Sequence, residues 1–469
     1  MQASARTCED SVVSDWRRMS LGAAGVTLID CDHRTPPAAP VGYPYVTIPQ
    51  LKAGRLNLSE ARRISAEHFK QWTRKADPQP FDVVLSRRCN PGETAFVPLD
   101  AQFALGQNLV LLRTDGATIL PEFLRWLVRG PIWWEQVQKF LNVGAVFDSL
   151  RCSDVPKFEL MIPPIVEQRS ISRVLGTLDD KIELNRKMSE TLEELARTLF
   201  KSWFVDFDPV HARAAGKKPF GMDDATAALF PDSFEDSKLG PIPRGWRVAT
   251  LGDVISELEV GKRPKGGVKG IEHGVPSIGA ESIKRVGEFD FSKTKYVPVE
   301  FFEAMGRGYV QSRDVLLYKD GGRPGEFEPH VSMFGDGFPF ERCCINEHVY
   351  RIRANEHYSQ NLLYFALSSD GTMHEMRMKG GGVAVPGLNS TAARSLLMTV
   401  PPPAIVRAFD EVVEPMIARI LLCSKESRTL AELRDTLLPK LLSGELRVPL
   451  DVADAPATKA EQLGLFGDR

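Results

Sequence analysis

Thr191-Leu192-x-Glu194-Leu195-x-x-Thr198-Leu199 returns, 238 residues later, as Thr429-Leu430-x-Glu432-Leu433-x-x-Thr436-Leu437. The same offset carries Ile162-Pro163-Pro164 onto Val400-Pro401-Pro402, Arg169 onto Arg407, Gly144 onto Gly382 and Leu150 onto Leu388. A register held over so long a stretch marks two copies of one unit, each a globular part followed by a long helix. The copies also begin alike. Trp16-Arg17-Arg18-x-x-Leu21-Gly22 parallels Trp246-Arg247-x-x-x-Leu251-Gly252, and Asp82-Val83-Val84-Leu85 parallels Asp314-Val315-Leu316-Leu317. These earlier matches are offset by 230 and 232 residues, so the globular parts differ by insertions while the helices keep step. A fixed scaffold carrying two divergent reading heads has this pattern.

Within the first repeat, Leu175, Leu178, Ile182, Asn185, Ser189, Leu192, Ala196 and Leu199 recur at spacings of three and four, a heptad stripe with a polar Asn185 on its seam. A helix from Ile165 to Phe204 would be roughly 60 Å long. The second copy places Val413, Met416, Ile420, Cys423, Ser427, Leu430 and Leu437 on the equivalent stripe. Arg434 stands where Ala196 does and should weaken it, and Pro415 predicts a kink or a late start. Neither stripe is pure enough for a homodimer, so the two helices are expected to pack on each other. Leu178, Ile182, Leu192, Leu195 and Leu199 would meet Met416, Ile420, Leu430, Leu433 and Leu437.

Ahead of each helix the chain reads as mixed helix and strand. Residues 81–85 and 109–112 have strand length, and residues 123–127 and 133–140 have helical spacing. Residues 206–244 carry Pro209, Pro219, Pro231, Pro241 and Pro243 and read as an extended connector. The tail after Gly444 is expected to be poorly ordered, with Leu463 to Phe466 able to dock.

The bulk numbers allow more than one core in 469 residues, with 43% hydrophobic and 26% charged residues. A net charge of −2 excludes a nonspecific polycation, so any nucleic-acid surface must segregate its basic residues. The 7 Cys include no CxxC pair, which suits a reducing cytoplasm and no metal site. No apolar run approaches the roughly 20 residues that span a bilayer. The mixed-charge start, Met1 to Asp15, does not read as a signal peptide.

Catalytic motifs are missing from the sequence. There is no GxxxxGK[ST] phosphate loop, no GxGxxG after a strand, no HExxH, and no Asn-Pro-Pro-aromatic run of an amino-group DNA methylase. Pro231-Asp232 followed by Asp236-Ser237-Lys238 spells a nuclease site, but its carboxylates sit too close together in a proline-rich segment to converge on a cation from separate strands. Basic residues do cluster. Lys262, Arg263, Lys265 and Lys269 share a glycine-rich loop suited to phosphate. Arg87 and Arg88 follow the Asp82–Leu85 run, and Lys319 and Arg323 follow the matching Asp314–Leu317 run, so one strand end delivers basic side chains in both copies. These eight residues are the expected DNA contacts.

Pro163-Pro164-x-x-Glu167-Gln168-x-x-Ile171, then Leu178-Asp179-Asp180-Lys181-Ile182-Glu183-Leu184-Asn185, then Leu199-Phe200-Lys201-Ser202-Trp203-Phe204-Val205-Asp206-Phe207-Asp208-Pro209 resembles the central conserved region of type I restriction-modification specificity (S) subunits. The run from Asp232 to Trp246 resembles that family's approach to its second target recognition domain, and Leu437-Leu438-Pro439-Lys440-Leu441-Leu442-Ser443-Gly444 its closing helix. Pro401-Pro402-Pro403-Ala404-Ile405-Val406-Arg407 departs from the pattern by lacking a counterpart of Gln168.

The resemblance implies an α+β chain with an internal pseudo-twofold repeat: target recognition domains at 1–164 and 245–402, conserved helices at 165–205 and 403–443 packed as an antiparallel coiled coil, a connector at 206–244 and a tail at 444–469. Each domain would read half of a split DNA sequence, and the helices would set the spacer. Two methylase (M) subunits would dock on the helices, with Phe200, Trp203 and Phe204 as candidate contacts unless they belong to the second domain's core. Restriction (R) subunits would join, and S-adenosylmethionine, ATP and Mg2+ would sit on these partners, leaving this chain without catalytic residues or cofactor. The alternative is a helical scaffold that does not read DNA.

Overall fold

Asp82 and Asp314 do the same work in the two copies. In the computed structural model, which describes residues 15–144, 147–323, 325–381 and 386–448, each aspartate opens a buried strand. Each carboxylate accepts a hydrogen bond from a backbone N–H three residues upstream, Gln79 and Gln311, both at 2.8 Å. The residue before each is left-handed, Phe81 and Arg313 both at φ 68°. A β-capable side chain rarely tolerates that conformation. Each aspartate also holds an arginine from the neighbouring strand: Arg113 at 2.6 Å from Asp82 and Arg353 at 2.5 Å from Asp314.

The contacts divide the chain into a first unit, residues 1–180 with 430–469, and a second unit, residues 181–429. The first unit holds an antiparallel sheet in the order Val26–Asp30, Leu109–Thr114, Val83–Ser86, Thr94–Phe96. A smaller sheet runs Arg63–Ile64, Tyr43–Val46, Ala104–Leu105, the last pair parallel. Arg17–Ser20 pairs with Glu159–Ile162, joining the start of the globular part to its end. The second unit repeats all three arrangements: Ile255–Val260, Val349–Ala354, Val315–Tyr318, Val331–Met333; then Lys295–Val297, Val275–Ile278, Cys344–Ile345, again with the last pair parallel; then Arg247–Thr250 with Leu397–Val400. The duplication thus extends to strand order and direction, which few sequence identities reveal.

Two long helices follow, Ile165–Phe204 and Pro403–Ser443. Each contributes one segment to each unit. In the first unit, Ile171 and Leu175 join Leu438, Leu441 and Leu442 in one core with Phe123, Leu124 and Trp126. In the second, Ala196, Phe200 and Trp203 share a core with Phe409, Val413 and Ile417. Asn185 there donates to Glu426 Oε2 at 2.9 Å and to Ser427 Oγ at 3.3 Å, while Phe204 meets Phe409 edge-on at 5.1 Å. Rising numbers on one helix meet falling numbers on the other, so their packing within this unit is antiparallel.

Of the expected seam, Leu178, Ile182, Leu192, Leu199, Met416, Leu430 and Leu437 are half-buried and Ile420 is buried. Leu195 and Leu433 correct that expectation, since both face solvent, at 52% and 46% exposure. The neighbours Ala196 and Arg434 turn inward in their place. Arg434 does not weaken the seam as a stray cation would; it is paired, Nη1 to Asp179 Oδ1 at 2.6 Å. Pro415 neither delays nor interrupts the second helix, which begins at Pro403 and includes it.

Residues 206–244 are not an extended connector. Phe207, at φ 54°, turns the chain into the helix Asp208–Ala214, with Pro209 in its first turn where a missing N–H costs nothing. Asp223 caps Asp224–Ala228 through Thr226 N–H at 2.8 Å, and Phe234–Ser237 pairs with Gly240–Pro243 as a hairpin. Aromatic burial holds the segment down: Phe230 is buried against Trp203 at 5.2 Å and Phe207 meets Trp246 at 5.7 Å. Leu463 to Phe466 lie outside the described residues.

Candidate nucleic-acid interface

The strand ends of the two copies have the same backbone wiring. Arg87 N–H donates to Asn108 O at 3.1 Å, and Arg87 O accepts from Leu150 N–H at 2.8 Å. Lys319 N–H donates to His348 O at 3.1 Å, and Lys319 O accepts from Leu388 N–H at 2.5 Å. Arg87 and Lys319 are therefore equivalent positions, held between a β-bend and a segment that precedes the next core element. Leu150 and Leu388 are also the pair that the repeat register aligns.

The side chains differ. Arg87 and Arg88 are half-buried, and their Nε atoms find no hydrogen-bond partner among the described residues. An unmet buried donor costs about 1–3 kcal/mol, so such positions need a compensating role. The Arg88 guanidinium lies over the Phe147 ring at 5.6 Å. Lys319 is instead neutralised at home: its Nζ bonds Asp320 and lies 5.8 Å from the Tyr350 ring centre. Arg323 stands in the short strand Gly322–Arg323, paired with Glu326–Phe327.

The glycine-rich loop is split in character. Lys262 Nζ is tied down by Met305 O, and Arg263 is 3.5 Å from Glu347. Lys265 and Lys269 are exposed, beside Gly266, Gly267 and Gly270 at φ 90°, 81° and 82°. His348 bridges the loop's neighbour to the strand end, with Nδ1 at 2.6 Å from Asp320 and Nε2 at 3.5 Å from Glu347. Loop and strand end thus share one polar surface in the second unit. Among its cations, Lys265 and Lys269 are the most available for phosphate, and Lys262 and Lys319 the least.

Phe200, Trp203 and Phe204 correct the expectation that they meet a partner. All are buried in the second unit's core, at 6%, 5% and 6% exposure. An aromatic run at a helix end reads identically in sequence whether it fills a core or an interface, and here the folded 206–244 segment covers it.

Two clusters were not legible beforehand. Buried Asp179 gathers Arg434, Arg55 at 3.0 Å and Arg125 at 4.0 Å within the first unit. Burial pushes Arg125 down to about 10, while Asp179 is held below the usual carboxylate range: burial alone would raise it, but Arg55, Arg125 and Arg434 outweigh that. The only sequence signal was an aspartate pair beside a hydrophobic stripe. Asp30, Cys31 and His33 also converge, with ligand atoms within 4.8 Å of one another. A cation already sits there, however: Lys75 Nζ is 3.4 Å from Asp30 and donates to Cys31 O at 3.0 Å. Burial pushes the Cys31 thiol up to about 11, away from the thiolate that metal binding needs.

Residues 35–194 match a family model described as the type I restriction modification DNA specificity domain. The chain is 26% identical over 413 residues to the type I restriction enzyme HindI specificity subunit of Haemophilus influenzae, covering 78% of this chain and 86% of that protein. It is 27% identical over 353 residues to the type I restriction enzyme MjaIX specificity subunit of Methanocaldococcus jannaschii, covering 72% and 71%. Its fold resembles the crystal structure of a type I restriction-modification system S subunit from M. genitalium, with a TM-score of 0.52 and 15% identity over 93% of this chain and 98% of that one. No helix among the described residues is long and apolar enough to cross a membrane.

Proposed function

We propose that this chain, which is similar to type I restriction enzyme specificity subunits and matches the DNA specificity domain over residues 35–194, supplies the sequence specificity of a type I complex and does no chemistry of its own. Each globular part reads one half of a bipartite duplex target. The long helices set the spacing between halves and carry methylase subunits; restriction subunits join the same assembly. S-adenosylmethionine, ATP and Mg2+ belong to those partners, and the complex works in the cytoplasm. The observation that carries this reading is the shared wiring of Arg87 and Lys319. A duplicated strand end held by the same backbone hydrogen bonds in two differently inserted heads suits two reading surfaces for one polyanion.

The energetics agree. One bidentate base contact discriminates by about 1–3 kcal/mol, too little alone for a genome. Two heads on one scaffold add their contacts while the second engages at high effective concentration. Flipping an adenine out for methylation needs a catalytic pocket, which falls to a partner.

The test is binding of the partner-complete complex to duplexes altered in one half at a time. Arg87→Ala with Arg88→Ala should relax discrimination at one half only, by about 1–3 kcal/mol if either reads a base. Lys319→Ala with Arg323→Ala should act only on the other half. Lys265→Ala with Lys269→Ala should weaken all duplexes alike and reduce the salt slope by about one per lost phosphate contact. If every variant shifts both halves equally, these residues do not divide the target between two heads. A wild-type complex that does not distinguish duplexes at all would favour the scaffold alternative.

A further inference from the structure

The first unit holds a layer of arginines that the second unit does without. In the 238-residue register, Arg125 and Arg129 stand where the second copy has Leu363 and Leu367, Asp179 where it has Ile417, and Arg434 where the other helix has Ala196. All four counterparts are fully buried in an apolar core. The fold therefore packs at these positions without charge. Replacing a buried ion cluster by apolar residues is often neutral or stabilising, so packing alone does not call for the arginines.

Their charge is only partly met. Asp179 is taken by Arg434 at 2.6 Å and by Arg55 at 3.0 Å. Arg125 reaches the same carboxylate only at 4.0 Å, beyond hydrogen-bond length, although its side chain is just 12% exposed. The guanidinium of half-buried Arg129 has no hydrogen bond or ion pair among the described residues. Both guanidiniums lie against one Trp126 ring, at 4.3 and 5.6 Å. Glycine makes room beside each. A Cβ on Gly54, at φ 82°, would stand 2.7 Å from Arg129 Nη1. A Cβ on Gly176 would have only Arg125 Nη2 near it, at 3.5 Å. In the second copy that helix position is Glu414, which accepts from Arg313 at 2.6 Å and from Asn361 at 2.9 Å. One copy thus supplies a carboxylate from its own helix where the other supplies a glycine beside an under-neutralised arginine. Burial pushes Arg125 down to about 10 and lowers Arg129 too, with Arg434 adding to the effect on Arg129.

We propose that Arg125 and Arg129 form a binding site for a phosphate-class oxyanion. An arginine fork matches such oxygens, and stacking on a ring leaves the guanidinium edge free to donate. A carboxylate has two oxygens and is satisfied by one fork, whereas a phosphate presents oxygens to both. Asp179, with Arg55 and Arg434, anchors the layer and positions the pair. The oxyanion can come from two sources, a backbone phosphate of bound duplex or a free phosphate compound. The first source rests on the reading given under Proposed function; the site itself does not.

The free full-length chain is melted in phosphate-free buffer and in rising inorganic phosphate, with ionic strength held constant by chloride. The wild-type melting temperature should climb with phosphate. Arg125→Gln and Arg129→Gln should each raise the phosphate concentration needed for that climb at least about tenfold. Without phosphate, Arg129→Gln should melt no earlier than the wild type, a result that a merely structural arginine would not give. The partner-complete complex is then titrated with duplex DNA at several salt concentrations. If the oxyanion is a backbone phosphate, Arg129→Gln should weaken binding to all duplexes alike and reduce the salt slope by about one. If it is a free phosphate compound, duplex affinity and slope should match the wild type while the free chain loses its phosphate response. A phosphate response that persists undiminished in both variants would overturn the assignment. So would a wild type indifferent to phosphate together with an unchanged salt slope in Arg129→Gln. A complex that binds no duplex would sink the wider reading, and the phosphate response of the free chain would still decide this one.

Discussion

Trp203→Ala should destabilise the second unit by about 3–5 kcal/mol, the usual cost of emptying a large buried aromatic site. Trp203 is 5% exposed and packs against Phe230, Phe204 and Phe409 at 5.2, 6.2 and 6.0 Å. It fastens the folded 206–244 segment to both helices of that unit. The check is urea unfolding of the free chain followed by amide exchange in residues 181–429. Exchange should accelerate there with no partner present. A variant that unfolds like the wild type but loses its partner would instead restore the docking role for this residue.

Asp179→Ala should destabilise the first unit on a comparable scale, about 3–5 kcal/mol, because removing one member of a buried ion cluster strands the others. Arg434 and Arg125 would be left in a poorly solvated layer without their carboxylate, and Arg55 would lose its 3.0 Å contact. Arg434→Ala should cost less, since Arg55 and Arg125 still neutralise Asp179. The pH dependence has a definite sign. A carboxylate held below its unfolded pKa contributes stability that is fully present above the unfolded value and is lost as pH falls through the folded one. The wild type should therefore lose stability below about pH 4 more steeply than Asp179→Ala does. Equal acid sensitivity, or an unchanged urea midpoint, would show that the cluster contributes nothing.

The same layer explains where sequence reading succeeded and failed. The long helices were legible because apolar spacing of three and four is a local property. The repeated Asp-Val-x-Leu runs were legible as strands, and their common origin from the register. Which residue of a helix faces inward was less secure. Leu195 and Leu433 are apolar beside Ala196 and Arg434, and hydrophobicity alone selects the leucines. The structure selects their neighbours, because Ala196 leaves room for close packing and Arg434 answers Asp179, more than two hundred residues away in sequence. No local pattern carries that information. The 206–244 segment failed for the opposite reason. Its prolines suggested extension, but Pro209 opens a helix, and Phe207, Phe230 and Trp246 supply the burial that fixes the rest. At the candidate interface, sequence placed basic residues at both strand ends but could not show that Asp320 already neutralises Lys319.

The central claim is that two heads in one chain read two halves of one DNA target. The most direct measurement is a genome-wide map of methylated adenines, by single-molecule sequencing, in a methylation-free host expressing this chain with its methylase subunit. The account predicts one motif made of two short specified blocks separated by a fixed, unspecified spacer. With Arg87→Ala and Arg88→Ala, one block should become degenerate while the other block and the spacer length stay as they were. Methylation at a single continuous motif, or degeneracy spread equally over both blocks in that variant, would contradict it.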